Sequence, residues 1–352
     1  MMRESVSERF RLVQKLSSMK QAVAQAISEE FFLKHPDWVD RYGERGRQFC
    51  TADACFHIEF LVGAIEAGSP EAFGDYLRWT ARMLGARGIT AHTLEENLEQ
   101  LEWHLSGVLL PDERETVLAF LMRGRETCRN HQPAPDVQPT GDELDLTRSV
   151  FLAAILAGQR RAALGIVEEA LHVGHSLVDI YVNVFTESLH HVGELWELNK
   201  ISVAQEHMAT SITQYAIAAI YSRMVPTDAN RGSMVVTGVS GELHQIGANL
   251  VADAMEANGW TVHFLGSNLP HSSVLATIEE SSADVLCIST TIVANLPSVV
   301  DLVRAVRSKL SDRAPRIVLG GAAYRLVTRF ANEVGALEAV TDLRRALALL
   351  CA

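Results

Sequence analysis

The chain is short of cysteine, of long apolar runs and of basic charge, and each shortage removes a class of protein. Its five cysteines, at positions 50, 55, 128, 287 and 351, are odd in number and include no Cys-x-x-Cys pair. Neither a disulfide framework nor a zinc cluster is therefore expected, and thiols in a reducing compartment fit better. No stretch approaches the ~20 apolar residues needed to cross a bilayer. The opening MMRESVSERFRLVQ lacks the apolar core of a secretory signal, so a cytoplasmic protein is expected. Lys and Arg number 31 against 43 Asp and Glu, a formal net charge of −12, which suits a phosphate backbone poorly. Direct nucleic-acid binding is not expected. Also missing are a Gly-x-Ser-x-Gly elbow, a P-loop and paired carboxylates in a cleft pattern, so no catalytic apparatus is read.

What is present is enough hydrophobic residue, 48% of 352, to build two or three ordinary cores. Leu12, Leu16, Met19, Val23 and Ile27 recur at steps of four, three, four and four, one face of a helix. A second apolar run begins near Phe56, breaks at Gly68-Ser69-Pro70 and resumes at Phe73. Thr93 with Glu96 reads as a capping box, and Pro111 opens a further helix. With no strand alternation, residues 1–130 are expected to form an all-α domain. The stretch 131–141, HQPAPDVQPTG, holds three prolines and little to bury, and reads as a linker. Residues 142–228 read as a four-helix bundle, with helices near 142–157, 159–172, 176–198 and 203–224 and breaks at Gly158, Gly174 and Asn199. From 229 to 352 apolar runs alternate with helical stretches: strands at Ser233–Gly238, Thr261–Gly266, Asp284–Ser289, Arg316–Gly321 and Glu338–Thr341. That alternation predicts a doubly wound parallel sheet, Rossmann-like, with ligands held beyond the C-terminal strand ends. The fold class expected is α + α/β.

Three short motifs fall at those strand ends. Glu242-Leu-His244-Gln-Ile-Gly247 follows the first strand. An imidazole makes a good cobalt donor when a carboxylate holds its second nitrogen, and Glu242 is two residues from His244. Gly247 allows a large planar ligand close to the backbone. After 41 residues come Ser289 and Thr291, and after 28 more Gly320-Gly321. A lone loop histidine, Ser-x-Thr or Gly-Gly is weak; the three in register are specific. The helical block adds Trp196, nine residues, then Glu206-His207. Taken alone these read as a core tryptophan and two solvent-facing residues behind a Ser202 cap.

The strand-end motifs resemble the pattern of the cobalamin-binding domains of methionine synthase, mutases and related sensors: Asp-x-His-x-x-Gly, Ser-x-Leu and Gly-Gly at these spacings. The resemblance implies that His244 replaces the nucleotide base on cobalt (base-off, His-on), and that Ser289, Thr291, Gly320 and Gly321 line the slot for the freed nucleotide tail. Two departures stand out, Glu242 for Asp and Thr291 for Leu. The Trp-x9-Glu-His spacing resembles the cap of light-sensing cobalamin proteins of the CarH type. That resemblance implies Trp196, Glu206 and His207 about the upper, adenosyl face, and adenosylcobalamin as the cofactor. It also implies light-dependent association, as a homo-oligomer or with an effector protein. In that type a histidine directly after the tryptophan binds the photolysed cobalt; here Glu197 stands there, leaving His190, His191 or His207 to substitute.

The whole-chain order resembles the photocobilins, which join such a cap and cobalamin domain to a biliverdin-binding helical domain. Candidate contacts in residues 1–130 are Cys50, Cys55, His57, His92, Trp103 and His104, with Arg78, Arg82 and Arg87 for propionates. Each has a plain packing or surface alternative. Two other uses stay open: a corrinoid methyl carrier of a methyltransferase system, and a haem sensor using His57, His92 or His104.

Overall fold

The computed structural model describes residues 6–129, 144–222 and 230–351. The linker read at 131–141 and the boundary at 228/229 lie outside the described residues. The chain forms two compact units. The first takes in Met1–Pro133 with two later stretches, Ile292–Pro297 and Leu326–Glu333; the second takes in the remainder.

In the first unit the N-terminal stretch is all helix: α1 (Val6–Lys34), α2 (Pro36–Glu66), α3 (Pro70–Gly85), α4 (Ala91–Ser106) and α5 (Pro111–Arg129). Three of them open on proline, whose missing N–H has no helical partner to lose at that position. The expected stripe is the buried face of α1: Leu12, Leu16, Val23 and Ile27 are all in the core. The capping box at Thr93 is not formed. Helix α4 begins two residues earlier, at Ala91, so Thr93 lies inside it and its hydroxyl faces that of Thr90 at 3.3 Å. Helix α2 kinks at Gly43, whose φ of +57° the glycine tolerates. Between α2 and α3, Phe60 stacks on Tyr76 at 3.7 Å, and His57 Nδ1 lies 2.8 Å from the Tyr76 hydroxyl.

The second unit joins a helical cap to the sheet. The cap consists of α6 (Asp145–Leu156), α7 (Arg160–His172), α8 (Leu177–Asp179) running through a π-helical stretch (Ile180–Thr186) into α9 (Glu187–Glu197), and α10 (Val203–Tyr221). The breaks fall at Gly158, Gly174 and Asn199, all at positive φ. Ser202 caps α10 in a full capping box with Gln205. Phe151, Tyr181, Val184 and Phe185 are fully buried, and the same apolar core takes in Leu250, Ala254 and Leu343 from the sheet half.

Five strands, β1 (Ser233–Gly238), β2 (Thr261–Gly266), β3 (Val285–Ser289), β4 (Arg316–Gly320) and β5 (Glu338–Val340), form one parallel sheet in the order β2-β1-β3-β4-β5. Connecting them are α11 (Ile246–Ala257), α12 (His271–Ser281), α13 (Leu296–Leu310) and the short α14 (Phe330–Val334), with α15 (Leu343–Leu350) last. The near-continuous apolar strands Met234–Val236, Val285–Ile288 and Ile317–Leu319 are buried, as a sheet covered on both faces requires. Strand order reverses between β1 and β3, and that crevice is where ligands of such sheets bind.

Candidate functional site

The pairing register places the motif residues in one row. Gly238 pairs with Ser289, Ser289 with Gly320 and Gly320 with Val340, so the C-terminal ends of β1, β3, β4 and β5 are level. The loops that follow β1 and β3 flank the crevice, and Glu242 bridges them.

Glu242 is fully buried. One carboxylate oxygen, Oε1, lies 2.7 Å from His244 Nδ1 and accepts the His244 backbone N–H at 2.9 Å. The other, Oε2, accepts the Thr291 N–H at 2.7 Å from across the crevice. Burial by itself would raise the Glu242 pKa, but the bonds from the His244 ring and from the two backbone N–H groups outweigh it, and the carboxyl lies below its ordinary value. The imidazole is pushed the other way, chiefly by its bond to Glu242, with burial opposing and the carboxylate of Glu206 adding to the rise. Glu206, on the cap, is thus close enough for its field to reach His244. The His244 side chain is 56% exposed although its partner is not exposed at all, so the ring stands at the mouth of the crevice on a rigid foot. Neighbouring contacts hold this loop: Asn268 Oδ1 accepts the Gly241 N–H at 2.9 Å, and Ser267 Oγ reaches the His244 carbonyl at 3.4 Å.

The three glycines differ. No atom lies within 4 Å of where a Cβ on Gly247 would stand, so the space beside it is open, as a close planar ligand needs. Gly320 would place a Cβ 3.9 Å from Val340, an ordinary contact. Gly321, at φ +116°, would drive a Cβ to 2.3 Å from the Thr290 carbonyl. At Gly321 the first obstacle to a Cβ is therefore the protein's own backbone. Ser289 and Thr291 are half-buried, while Thr290 between them is fully buried.

On the cap, Trp196 is half-buried near the end of α9. Glu206 accepts from Thr210 Oγ1 at 2.9 Å and from the ring of His207, whose side chain is 74% exposed. Glu197 is 4% exposed. His190 and His191 sit beside acids of their own helix, Glu187 at 3.7 Å and Glu194 at 3.6 Å.

The candidates in the first unit fall on different helices. Cys50, Cys55 and His57 lie on α2, and His92, Trp103 and His104 on α4. His57 is buried against Tyr76, and burial pushes its pKa down to about 4. His104 pairs with Glu30 at 3.3 Å, while the side chain of His92 is 78% exposed. Trp103 is largely exposed. Arg78 pairs with Asp75, and Arg87 donates to the Met83 carbonyl.

Sequence reasoning missed Thr290, Tyr324, Ser267 and Asn268. Only Asn268, one of four non-glycine residues at positive φ among those described, belongs to a type enriched in that conformation, and that was a faint signal. Among the described residues no group of three or more His, Cys, Asp or Glu could hold a metal ion. None of the described helices is long and apolar enough to cross a membrane.

Comparison with known proteins points to B12-binding domains. Residues 232–346 match a family model described as a B12 binding domain, and residues 148–221 a second model of the same description. The methionine synthase of Mycobacterium leprae is 25% identical over 233 residues, covering 64% of this chain and 17% of that protein. The chain therefore corresponds to a minor part of that relative. Dimethylamine corrinoid protein 1 of Methanosarcina mazei is 23% identical over 185 residues, covering 52% of this chain and 84% of that protein. Among solved structures, the Methanosarcina barkeri monomethylamine corrinoid protein superposes with a TM-score of 0.53 at 20% identity, covering 59% of this chain and 98% of that one. At that identity the likeness speaks for the fold alone.

Proposed function

We propose that this chain, with its B12-binding domain over residues 232–346, holds a corrinoid base-off and His-on, with His244 as the protein ligand to cobalt. The observation that carries the reading is the double use of Glu242. A fully buried carboxylate fixes the His244 ring with one oxygen and the opposite wall of the crevice with the other. Such a carboxylate–histidine pair orients an imidazole and raises its basicity toward a metal. The residues suit the group in two further ways. A single imidazole would suffice for a metal that arrives already bound within its own organic ring. The open space beside Gly247 and the half-buried row of Ser289, Thr291, Gly320 and Gly321 offer a face and a slot.

A bound corrinoid supplies a cobalt–carbon bond that can be made and broken. We favour its use as a methyl carrier in a methyltransferase system, in which catalysis belongs to partner proteins. The similarity to methionine synthase and to dimethylamine corrinoid proteins supports this use. In that role His244 would hold the cobalt and Glu242 would hold His244.

The test is the absorption spectrum of the full chain loaded with methylcobalamin. The wild type is expected to show the base-off, His-on spectrum. His244→Ala is expected to lose it and to bind at least tenfold more weakly; an unchanged spectrum and affinity in this variant would end the reading.

A second use, an adenosylcobalamin photoreceptor, is favoured by one set of residues. Trp196, Glu206 and His207 carry a spacing that resembles the cap of light-sensing cobalamin proteins, and the field of Glu206 reaches His244. Against it, Glu197 occupies the position of the family's second histidine and is buried, while His190 and His191 sit beside acids of their own helix. Biliverdin in the first unit belongs to this same reading and draws support only from the order of domains. Gel filtration of the adenosylcobalamin-loaded protein in darkness and after green light separates the two uses. A light-driven change in elution volume supports the photoreceptor, and its absence with methyl transfer to or from a donor supports the carrier.

A further inference from the structure

The walls of the tail slot and the carboxylate behind His244 meet at one residue that no motif names. Thr290, fully buried, is the middle residue of Ser289-Thr290-Thr291. Its N–H donates to the Gly320 carbonyl at 2.7 Å, and its own carbonyl accepts the Ala323 N–H at 3.3 Å. That same carbonyl is the atom a Cβ on Gly321 would strike. Thr290 thus fastens the β3 wall of the slot to the β4 wall. One peptide further along, the Thr291 N–H holds Glu242 Oε2. A shift of Thr290 would therefore move the slot out of register with His244, whose ring keeps its own bond to Glu242 Oε1.

The Thr290 side chain is fixed in turn by Tyr324, 2% exposed, whose hydroxyl donates to Thr290 Oγ1 at 3.2 Å. Burial raises the Tyr324 pKa, and the Glu242 carboxylate adds to the rise, so the phenol sits within that carboxylate's field. Two buried hydroxyls facing each other are costly to separate, because a lone one keeps its desolvation penalty.

We propose that Thr290 and Tyr324 are positioning residues that hold the tail slot in register with the cobalt ligand, and so set the preference of this chain for a corrinoid that carries its nucleotide tail. The proposal rests on the corrinoid reading above and adds a specificity to it.

The experiment uses the full chain and two probes with the same corrin: cobalamin, and cobinamide, which lacks the nucleotide tail. Each is titrated by absorbance into wild type, Thr290→Val, Tyr324→Phe and Thr290→Ser, and the melting temperature of each corrinoid-free protein is recorded. Thr290→Val and Tyr324→Phe are expected to weaken cobalamin roughly tenfold, the scale of one buried hydrogen bond, while cobinamide stays within about twofold of wild type on the same scale. Thr290→Ser, which keeps the hydroxyl, is expected to restore most of the cobalamin affinity. Equal loss of both corrinoids, or loss of neither, overturns the proposal, whatever the melting temperatures do. A wild type that binds neither probe, or whose spectrum is indifferent to His244→Ala, overturns the corrinoid reading itself and this proposal with it.

Discussion

At position 242 the length of the side chain decides how many partners the carboxylate reaches. Its two oxygens lie 2.7 Å from the His244 ring nitrogen and 2.7 Å from the Thr291 amide, so both are in use. Removing one methylene, about 1.5 Å of reach, leaves an aspartate able to keep one partner. Glu242→Asp is therefore expected to weaken corrinoid binding about tenfold. Glu242→Gln, whose amide nitrogen cannot accept from either N–H, is expected to weaken it by about ten- to a hundredfold, the usual cost of losing a group that holds a metal ligand. Absorbance titration decides the matter: a Glu242→Gln protein that binds as tightly as wild type would show that the carboxylate does not support the ligand. The sequence made His244, its carboxylate and the strand-end spacing readable, because covalent neighbours and register repeat with fixed periods. It did not reveal that the second oxygen crosses to Thr291, since those residues are 49 apart and only the folded crevice brings them together. Tyr324 was invisible for the same reason, as was the Thr290 carbonyl that a Cβ on Gly321 would strike.

Among the elements, the junction of the cap with α11 depends on a buried acid. The Tyr181 hydroxyl, in the π-helical stretch, donates to Asp253 Oδ2 at 2.9 Å, and Asn249 donates to the same oxygen at 3.1 Å. Asp253 is 9% exposed, and burial, reinforced by the charge of Glu256 and opposed by these two bonds, lifts its pKa from 3.8 to about 6. The native protein thus holds a proton between roughly pH 4 and 6 that the unfolded chain has released, so stability falls as pH rises through that window. Above it the charge costs at most about 3 kcal/mol, counting about 1.4 kcal/mol per pKa unit. Asp253→Asn keeps an oxygen for both donors and carries no charge. It is expected to stabilise the corrinoid-free protein by about 1–2 kcal/mol at pH 7.5, within that bound, and to lose this advantage near pH 4. Urea unfolding at the two pH values checks it, and an equal difference at both would exclude titration as the cause. The cap helices were legible from their lengths and their stops at Gly158, Gly174 and Asn199. The π-helical stretch was not, because over seven residues its period cannot be told from that of an α-helix. The first half of α2 escaped notice because PDWVDRYGERGR has no stripe to mark it.

For the molecule as a whole, the chain does not divide where its helical and sheet halves meet in sequence. The first unit includes Ile292–Pro297, which begins at the residue after Thr291, and Leu326–Glu333. Ser69 Oγ donates to the Leu326 carbonyl at 3.1 Å, and Arg9 pairs with Glu333. On α2, a Cβ at Gly63 would lie 2.1 Å from the Val293 carbonyl oxygen and 2.9 Å from Ala294 Cα. Those atoms are backbone, so no rotamer change can relieve the clash. In a free helix, alanine for glycine stabilises by about 1 kcal/mol. Here the overpacking, about 1–3 kcal/mol where a core must shift, opposes that gain and is expected to exceed it. Gly63→Ala should therefore destabilise the protein by up to about 2 kcal/mol in net. It should also weaken corrinoid binding, although Gly63 is far in sequence from every motif, because the segment it displaces is peptide-bonded to Thr291, whose N–H holds Glu242. Gly85→Ala, at the end of α3 with no atom within 4 Å of its Cβ position, is the control and should leave corrinoid affinity unchanged. Thermal unfolding and corrinoid titration of the two variants decide it. If they behave alike, the packing of α2 on 292–297 has no influence on the crevice, and the helical domain is a passenger as far as the corrinoid is concerned.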